Sequence, residues 1–408
     1  LFFKLNYSDL PSEEIYSYYK RFDDIFSKKF SEMRSPHKFV KVKNKIKIGY
    51  VSADLCRHSV MRFIEPIFQN HDKEQFEIYA FAKLNKHDYM THSIKSCCDG
   101  WIDTNHLSDK QIAQKIRELG IDILVDLAGH TKGNGLEAFM YKPAPVSVSW
   151  WVGFGYTTGL SAIDYFLADP ILVPEGSEHL FSEKVWKMNY PCSVVFRPDA
   201  NMGQVNPLPA LDNGFITFGS LTRSIRLNHR VIQTWSKILK QFKNSRLIIN
   251  SVSFQYKEAT DLYIKKFEQN GIPRDRLDIG SNSPPWDILR KIDIAFDCFP
   301  HNSGTTLLEH LYMGNPYITL AHRPSVGRIG SHYLNAIGRN EWIAHTEEEY
   351  IEKACALGSD LNALSGIRNQ LRSEMEKSPL RNEKAFVKEL EKTYQQMWKQ
   401  YLKKTNVS

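Results

Sequence analysis

Short apolar runs of strand length alternate with amphipathic stretches of helix length along most of this 408-residue chain, and that alternation leaves few folds open. A strand, a helix and a second strand in succession close as a right-handed parallel crossover. Repeats of that unit build a parallel sheet with helices on both faces. Residues 46–52 read as the first strand and 76–81 as another. Ser108-Asp109-Lys110-Gln111 is a capping box that opens a helix with Ile112, Ile116 and Leu119 on one face. Gly120 ends that helix, and 121–127 reads as a third, buried strand. The alternation pauses over the proline-dense stretch 141–211 and then restarts. Residues 214–219, 246–250, 292–297 and 317–320 read as strands, and Asn228 caps a helix carrying Val231, Trp235, Ile238 and Leu239. The expected fold is α/β, with two facing, doubly wound, Rossmann-like halves joined near 195–212. Their ligand cleft is expected at the carboxyl ends of the strands.

The two ends of the chain are helical in pattern. Residues 1–35 form an amphipathic stretch with Ile15, Tyr18, Tyr19, Phe22 and Ile25 apolar, and a basic connector follows at 38–45. A tail helix over about 383–403 carries Phe386, Leu390, Tyr394, Met397, Trp398 and Tyr401 at helical spacing, the ordinary signature of burial. The expected division is a helical leader at 1–40, a first domain at 41–200, and a second at 201–408 that includes the tail.

Composition narrows the class. Apolar residues make up 42% and charged residues 24%, so the chain is globular and long enough for two to three domains. A net charge of +7 suits an enzyme of anionic nucleotides, but no arginine or lysine stripe with interleaved aromatics points to nucleic acid. No apolar run approaches membrane-spanning length. The cysteines at 56, 97, 98, 192, 298 and 355 show no paired framework, which predicts reduced thiols in a cytoplasm. No metal site is expected, and the Asp-x-Asp pair that presents a divalent ion to a sugar diphosphate is missing from the sequence. The chain begins Leu1-Phe2-Phe3, which suggests a piece of a longer protein.

The chemistry concentrates at predicted strand ends. Asn302-Ser303-Gly304-Thr305-Thr306-Leu307-Leu308-Glu309 follows the strand at 292–297 and opens a helix expected over 307–313. The first amides of a helix lack intrahelical partners and its dipole adds positive charge, so such a start binds anions. Thr305 and Thr306 add hydroxyl donors for a phosphate, and Glu309 sits one turn on, where a carboxylate can hold ribose hydroxyls. The ordinary alternative is Thr306 as an N-cap and Glu309 as a first-turn charge. Four more polar loops follow strands or turns: 54–60 with His58, 128–133 with His130 and Thr131, the glycine-rich 153–159 with Gly153 and Gly155, and 220–226 with Arg223 and Arg226. A single His58 or His130 has an ordinary reading as a structural histidine. Five polar loops at five strand ends favour a site.

These residues carry a resemblance. Gly49-Tyr50-Val51-Ser52-Ala53-Asp54 with His58-Ser59-Val60, Asp126-Leu127-Ala128-Gly129-His130-Thr131, Pro143-Ala144-Pro145-Val146 and Thr157-Thr158-Gly159-Leu160 with Asp164-Tyr165 resemble the catalytic region of the O-GlcNAc transferase and SPINDLY family, glycosyltransferase family 41. So do Phe218-Gly219-Ser220, Gly304-Thr305-Thr306 with Glu309, Leu311-Tyr312-Met313-Gly314 and Ser378-Pro379-Leu380. The resemblance covers about 46–402 and suggests a bacterial SPINDLY-like member, with residues 1–35 similar to the linker that follows tetratricopeptide repeats, themselves expected upstream.

The resemblance implies a GT-B glycosyltransferase that transfers a sugar from a nucleotide donor to Ser or Thr hydroxyls of proteins, with inversion and without metal or other cofactor. It implies that His58 lies near sugar and acceptor, that Gly304, Thr305 and Thr306 hold the diphosphate, and that Glu309 holds the ribose. Arg226, with Arg223 beside it, stands where relatives typically have Lys and supplies the fixed cation. Pro285 replaces a frequent histidine, and Trp286 offers a stacking surface or a core tryptophan in its place. His130, Thr131, Gly153 and Gly155 fall on the acceptor and sugar side, with Gly155 at a position where relatives tend to have proline. Gly327-Arg328-Ile329 is similar to the GlcNAc-transferring branch and favours UDP-GlcNAc. His58-Ser59-Val60 and Gly129-His130-Thr131 are similar to the SPINDLY branch, which leaves GDP-fucose as the alternative donor. A nucleotide-sugar-binding scaffold that has lost the chemistry is the reading from a different class.

Overall fold

The computed structural model describes residues 2–37 and 44–405. The expected boundary at 40 and most of the basic connector at 38–45 lie outside the described residues. The chain divides into two compact units, Leu1–Arg197 with Asn382–Ser408, and Pro198–Arg381.

The first unit is built on seven strands: β1 Ile46–Ser52, β2 Phe76–Ala82, β3 Gly100–Asp103, β4 Ile123–Asp126, β5 Val146–Trp150, β6 Tyr165–Ala168 and β7 Lys184–Lys187. They lie in the order β3-β2-β1-β4-β5-β6-β7, every neighbouring pair parallel. The chain works outward from β1 through β2 to β3, then returns to β4 on the other side of β1. The carboxyl ends of β1 and β4 therefore flank the topological switch point, where open α/β sheets bind ligands.

The expected pause at 141–211 is corrected here: β5, β6 and β7 all fall within it. Its prolines occupy the connections. β5 was obscured because Ser147 and Ser149 are buried within an apolar alternation, with Ser147 N–H donating to Asp164 Oδ2 (2.7 Å) and Ser149 Oγ to Asp126 Oδ2 (2.9 Å). The capping box reads as expected. Ser108 Oγ accepts from Gln111 N, Gln111 Oε1 accepts from Ser108 N, and Gly120 ends the helix Asp109–Leu119 at φ 64°.

The tail helix, Glu383–Lys404, was expected in the second half and packs instead in the first unit. Its buried stripe is Phe386, Val387, Leu390, Tyr394 and Met397, with Phe386 stacked on Trp150 at 6.1 Å. Burial of such side chains is worth about 1.5–3 kcal/mol each. Polar staples fix its register. Tyr50 Oη meets His71 Nε2 at 2.8 Å, His71 Nδ1 meets Glu391 Oε1 at 2.9 Å, and Arg197 pairs with Glu383. The leading helices Phe2–Leu5 and Ser12–Ser31 also belong to this unit. Ile15, Tyr19 and Phe30 are buried, while Tyr18 and Ile25 are exposed.

The second unit carries β8 Thr217–Leu221, β9 Arg246–Asn250, β10 Leu277–Gly280, β11 Ile294–Phe296, β12 Tyr317–Leu320 and β13 Ile343–Ala344 in the order β10-β9-β8-β11-β12-β13, again all parallel. The switch point is between β8 and β11. Asn228 caps the helix His229–Gln241 through Val231 N–H (3.0 Å), as expected. Buried Arg368, on the helix Leu361–Lys377, donates to Asn206 O, Asn206 Oδ1, Ile292 O and Asn315 Oδ1, each within 2.9 Å. It thereby ties the connector after residue 198 to the base of β11.

Candidate active-site elements

Both switch points carry the candidate residues. In the second unit, β11 runs into the loop 297–304, and the helix Thr305–Tyr312 begins two residues earlier than expected. Gly304 is the N-cap, which removes the reading of Thr306 as the cap, and no side chain caps the helix. A Cβ at Gly304 would meet nothing within 4 Å, so the space beside this N-cap is open. Thr305 and Thr306 are half-buried in the first turn, and Glu309 is buried in the next.

The loop is held in this form by Asp297, which sequence reasoning read only as the end of a strand. One of its carboxylate oxygens accepts from Cys298 N and Ser303 N, both at 2.8 Å, and the other accepts from Thr319 Oγ1 at 2.7 Å. Burial pushes its pKa up to about 7 against these hydrogen bonds and the nearby charge of Arg226. Ser303 Oγ donates to Thr222 Oγ1 (3.1 Å), which joins this loop to the one after β8.

The positive charge gathers at the same place. Arg223 and Arg226 lie on the short 3-10 turn after β8 and at its N-cap. His301 is buried, with Nδ1 2.8 Å from Asn302 O. Its imidazole is held well below the ordinary range by burial and then by Arg226, Arg323 and Arg223. Three arginines from two loops thus lower the pKa of one buried histidine four residues before the helix start. His301 and Arg323 were missed in the sequence. The signal available for Arg323 was the polar run His322-Arg323-Pro324-Ser325 at the end of β12. Trp286 is not drawn to this place. It starts the helix Trp286–Lys291 after edge strand β10 and packs half-buried against the core of Ile288, Leu289 and Met313.

In the first unit, His58 is exposed on the loop after β1. Its Nδ1 lies 3.3 Å from the Val60 amide and 3.9 Å from Asp54 Oδ2. A neutral ring that accepts at Nδ1 carries its proton on Nε2. His130 has a different setting from the one expected. Its ring packs against Phe2, Tyr19, Phe22 and Phe154, and Nε2 is 2.7 Å from Thr158 O. Burial pushes its pKa down to about 4, so it is neutral, with Nε2–H donating to that carbonyl. It braces the turn 153–159 rather than offering a free ring to an acceptor. Thr131 Oγ1 is also engaged, donating to Ala128 O at 2.8 Å.

The same turn is braced by the residue before β7. Buried Glu183 accepts from Thr157 Oγ1 (2.5 Å), Thr158 N (2.7 Å) and Thr158 Oγ1. Gly153 is there for contact: a Cβ would fall 2.0 Å from Leu127 O, so only glycine lets the turn close on the end of β4. Gly155 is buried with φ 90°, in the left-handed region that glycine accepts without strain.

Among the described residues no group of three or more His, Cys, Asp and Glu side chains is arranged to hold a metal ion, and no helix is long and apolar enough to cross a membrane.

Known proteins share both the sequence and the architecture. The model of glycosyl transferase family 41 matches residues 23–199 and 208–390. The SPINDLY protein of Arabidopsis thaliana, named a probable UDP-N-acetylglucosamine–peptide N-acetylglucosaminyltransferase, is 35% identical over 366 residues, 88% of this chain and 40% of its own length. The chain thus spans about two fifths of the curated relatives it matches first. The O-GlcNAc transferase of Thermobaculum terrenum superposes over 98% of this chain and 77% of its own, with a TM-score of 0.91 at 30% identity. Anabaena Alr3699/HepE, solved with UDP and glucose, covers 86% of this chain and 100% of its own with a TM-score of 0.55 at 11% identity, and so shares the fold alone. Two Rossmann-like parallel-sheet units of the GT-B type and a family match across nearly the whole chain lead to one assignment: the chain belongs to glycosyl transferase family 41.

Proposed function

We propose that this chain is an inverting glycosyltransferase that moves GlcNAc from UDP-GlcNAc to Ser or Thr hydroxyls of protein acceptors in the cytoplasm, without a metal. The observation that carries the reading is the helix start at Thr305 and Thr306, without a side-chain cap, beside arginines that act together on His301. A diphosphate there meets helix amides, two hydroxyls and fixed positive charge. These are the groups that stabilise a leaving diphosphate when no divalent ion does so. Glu309, one turn on, takes the ribose.

The step is a single displacement. The acceptor oxygen bonds to the anomeric carbon as the bond from that carbon to the diphosphate oxygen breaks, the electron pair leaves on the diphosphate, and the acceptor's hydroxyl proton passes to an oxygen of the departing diphosphate. His58 orients the acceptor or the sugar through Nε2–H. The Val60 amide at Nδ1 supports that donor role over one as base, because the ring's free lone pair is already engaged. The names of the SPINDLY and O-GlcNAc transferase relatives support GlcNAc as the sugar. GDP-fucose remains the second donor, motivated by the SPINDLY-like residues around His58 and His130.

Thermal shift with UDP-GlcNAc, UDP-glucose and GDP-fucose separates the donors, because a ligand that binds only the folded chain raises its melting temperature. UDP-GlcNAc is expected to give the largest shift, followed by transfer to a Ser/Thr peptide. A shift confined to GDP-fucose would replace the donor. No shift with any of them would remove the reading.

A further inference from the structure

The loop that presents His58 is held by a helix cap that does more than capping requires. Asp88 precedes the helix Tyr89–Ser96, and its Oδ1 accepts from Met90 N (3.0 Å) and Thr91 N (3.1 Å). That single oxygen completes the N-cap. The other oxygen, Oδ2, reaches across to the loop after β1 and accepts from the Arg57 amide at 2.7 Å, one residue before His58. Thr91, the capping-box partner, also reaches across, its Oγ1 donating to Leu55 O at 3.0 Å. Beyond His58 the loop ends at Val60 N–H on His58 Nδ1 and enters the helix Met61–Asn70. The segment 55–60 is therefore gripped on both sides of the exposed histidine, and the grip upstream of it comes from a different strand connection.

We propose that Asp88 is a positioning residue for His58. Its carboxylate divides its two oxygens between capping a helix and fixing the backbone from which the histidine projects. The inference rests on the reading of His58 as the residue that orients the acceptor or sugar. It predicts that catalysis is sensitive to the second oxygen alone, independently of the cap.

Asparagine and serine separate the two roles. Both are good N-caps, but neither offers a second carboxylate oxygen to Arg57 N–H. Asp88→Asn and Asp88→Ser are expected to melt close to the parent chain and to bind UDP within twofold of it. Turnover should fall roughly 10- to 100-fold, the scale on which a misplaced group costs rate. The fall should appear in kcat more than in KM for the donor. In a His58→Ala background the same substitutions should cost less than twofold, because the residue they position is gone. Should one variant fold poorly, the other decides.

Turnover within twofold of the parent for a folded Asp88→Asn or Asp88→Ser would overturn the proposal, as would an equal loss with and without His58. These results are distinct from failure of the wider reading, in which the parent chain itself neither binds UDP nor transfers sugar.

Discussion

The two switch points are built in opposite ways. At the first, between β1 and β4, polar groups are largely committed to the protein. His130 donates to Thr158 O, Thr131 to Ala128 O, and Glu183 holds Thr157 and Thr158. Asp126 accepts from Ala128 N, Gly129 N and Ser149 Oγ. The loop with His58 presents an exposed imidazole. At the second, between β8 and β11, a helix begins without a side-chain cap, its first turn carries two half-buried hydroxyls, and arginine charge gathers beside it. The first arrangement is a rim whose polar groups are bonded to one another. The second has the features that suit an anion: a helix start without a side-chain cap, hydroxyls and nearby positive charge. Under the proposed function, the second unit is expected to take the diphosphate, and His58 on the first unit to orient the acceptor or the sugar.

The contrast can be broken most severely at Arg226. Arg226→Ala is expected to lower kcat by about 10²- to 10³-fold, the usual loss when one preorganised group facing developing negative charge is removed. Unchanged turnover and unchanged UDP affinity would mean that another cation serves the diphosphate. On the first unit, His58→Ala should lower turnover by about 10²-fold, the scale of lost orientation, while UDP affinity stays at the parent value. Turnover within threefold would remove His58 from the mechanism.

Acid tests the committed rim. The pKa of His130 is depressed to about 4, so the folded chain takes up this proton less readily than the unfolded chain does. Its contribution is therefore neutral above about pH 6.5 and destabilising as pH falls from there toward 4. Between pH 7.5 and 5 this should cost about 2 kcal/mol, measured as the difference in urea unfolding between the parent and His130→Gln. An equal pH dependence in the two would show that His130 does not carry it. The smallest effect is expected at one hydroxyl. Thr305→Val should weaken UDP binding about fivefold, near the worth of one hydrogen bond, with no change in first-unit stability.

Much of this was legible in the sequence where local rules decide. Ser108 and Gln111 announce their box, Asn228 its cap, Gly120 its left-handed stop, and the spacing of Phe386, Leu390 and Tyr394 its helix. The residues on the switch-point loops were also legible, because chemistry at strand ends shows in a linear reading. What was not legible depends on distant partners. β3 is a half-exposed edge strand and β13 spans only Ile343–Ala344, too little for a periodic signal. The tail's place in the first unit is decided by Trp150, His71 and Arg197, each more than 180 positions from its partner. The commitment of His130 to an aromatic cage needed Phe2, Tyr19 and Phe22, which the sequence offers only as an amphipathic leader. The influence of Arg323 on His301 depends on tertiary structure, since one follows β12 and the other β11.

Calorimetric titration of UDP in the presence of excess EDTA tests the central claim most directly, with the parent chain and a combined Thr305→Val, Thr306→Val, Arg226→Ala variant run side by side. Saturable binding to the parent that is lost in a folded variant is the result expected of a diphosphate seated on that helix start. Binding that survives in the variant, or that appears in the parent only when a divalent ion is restored, would contradict it.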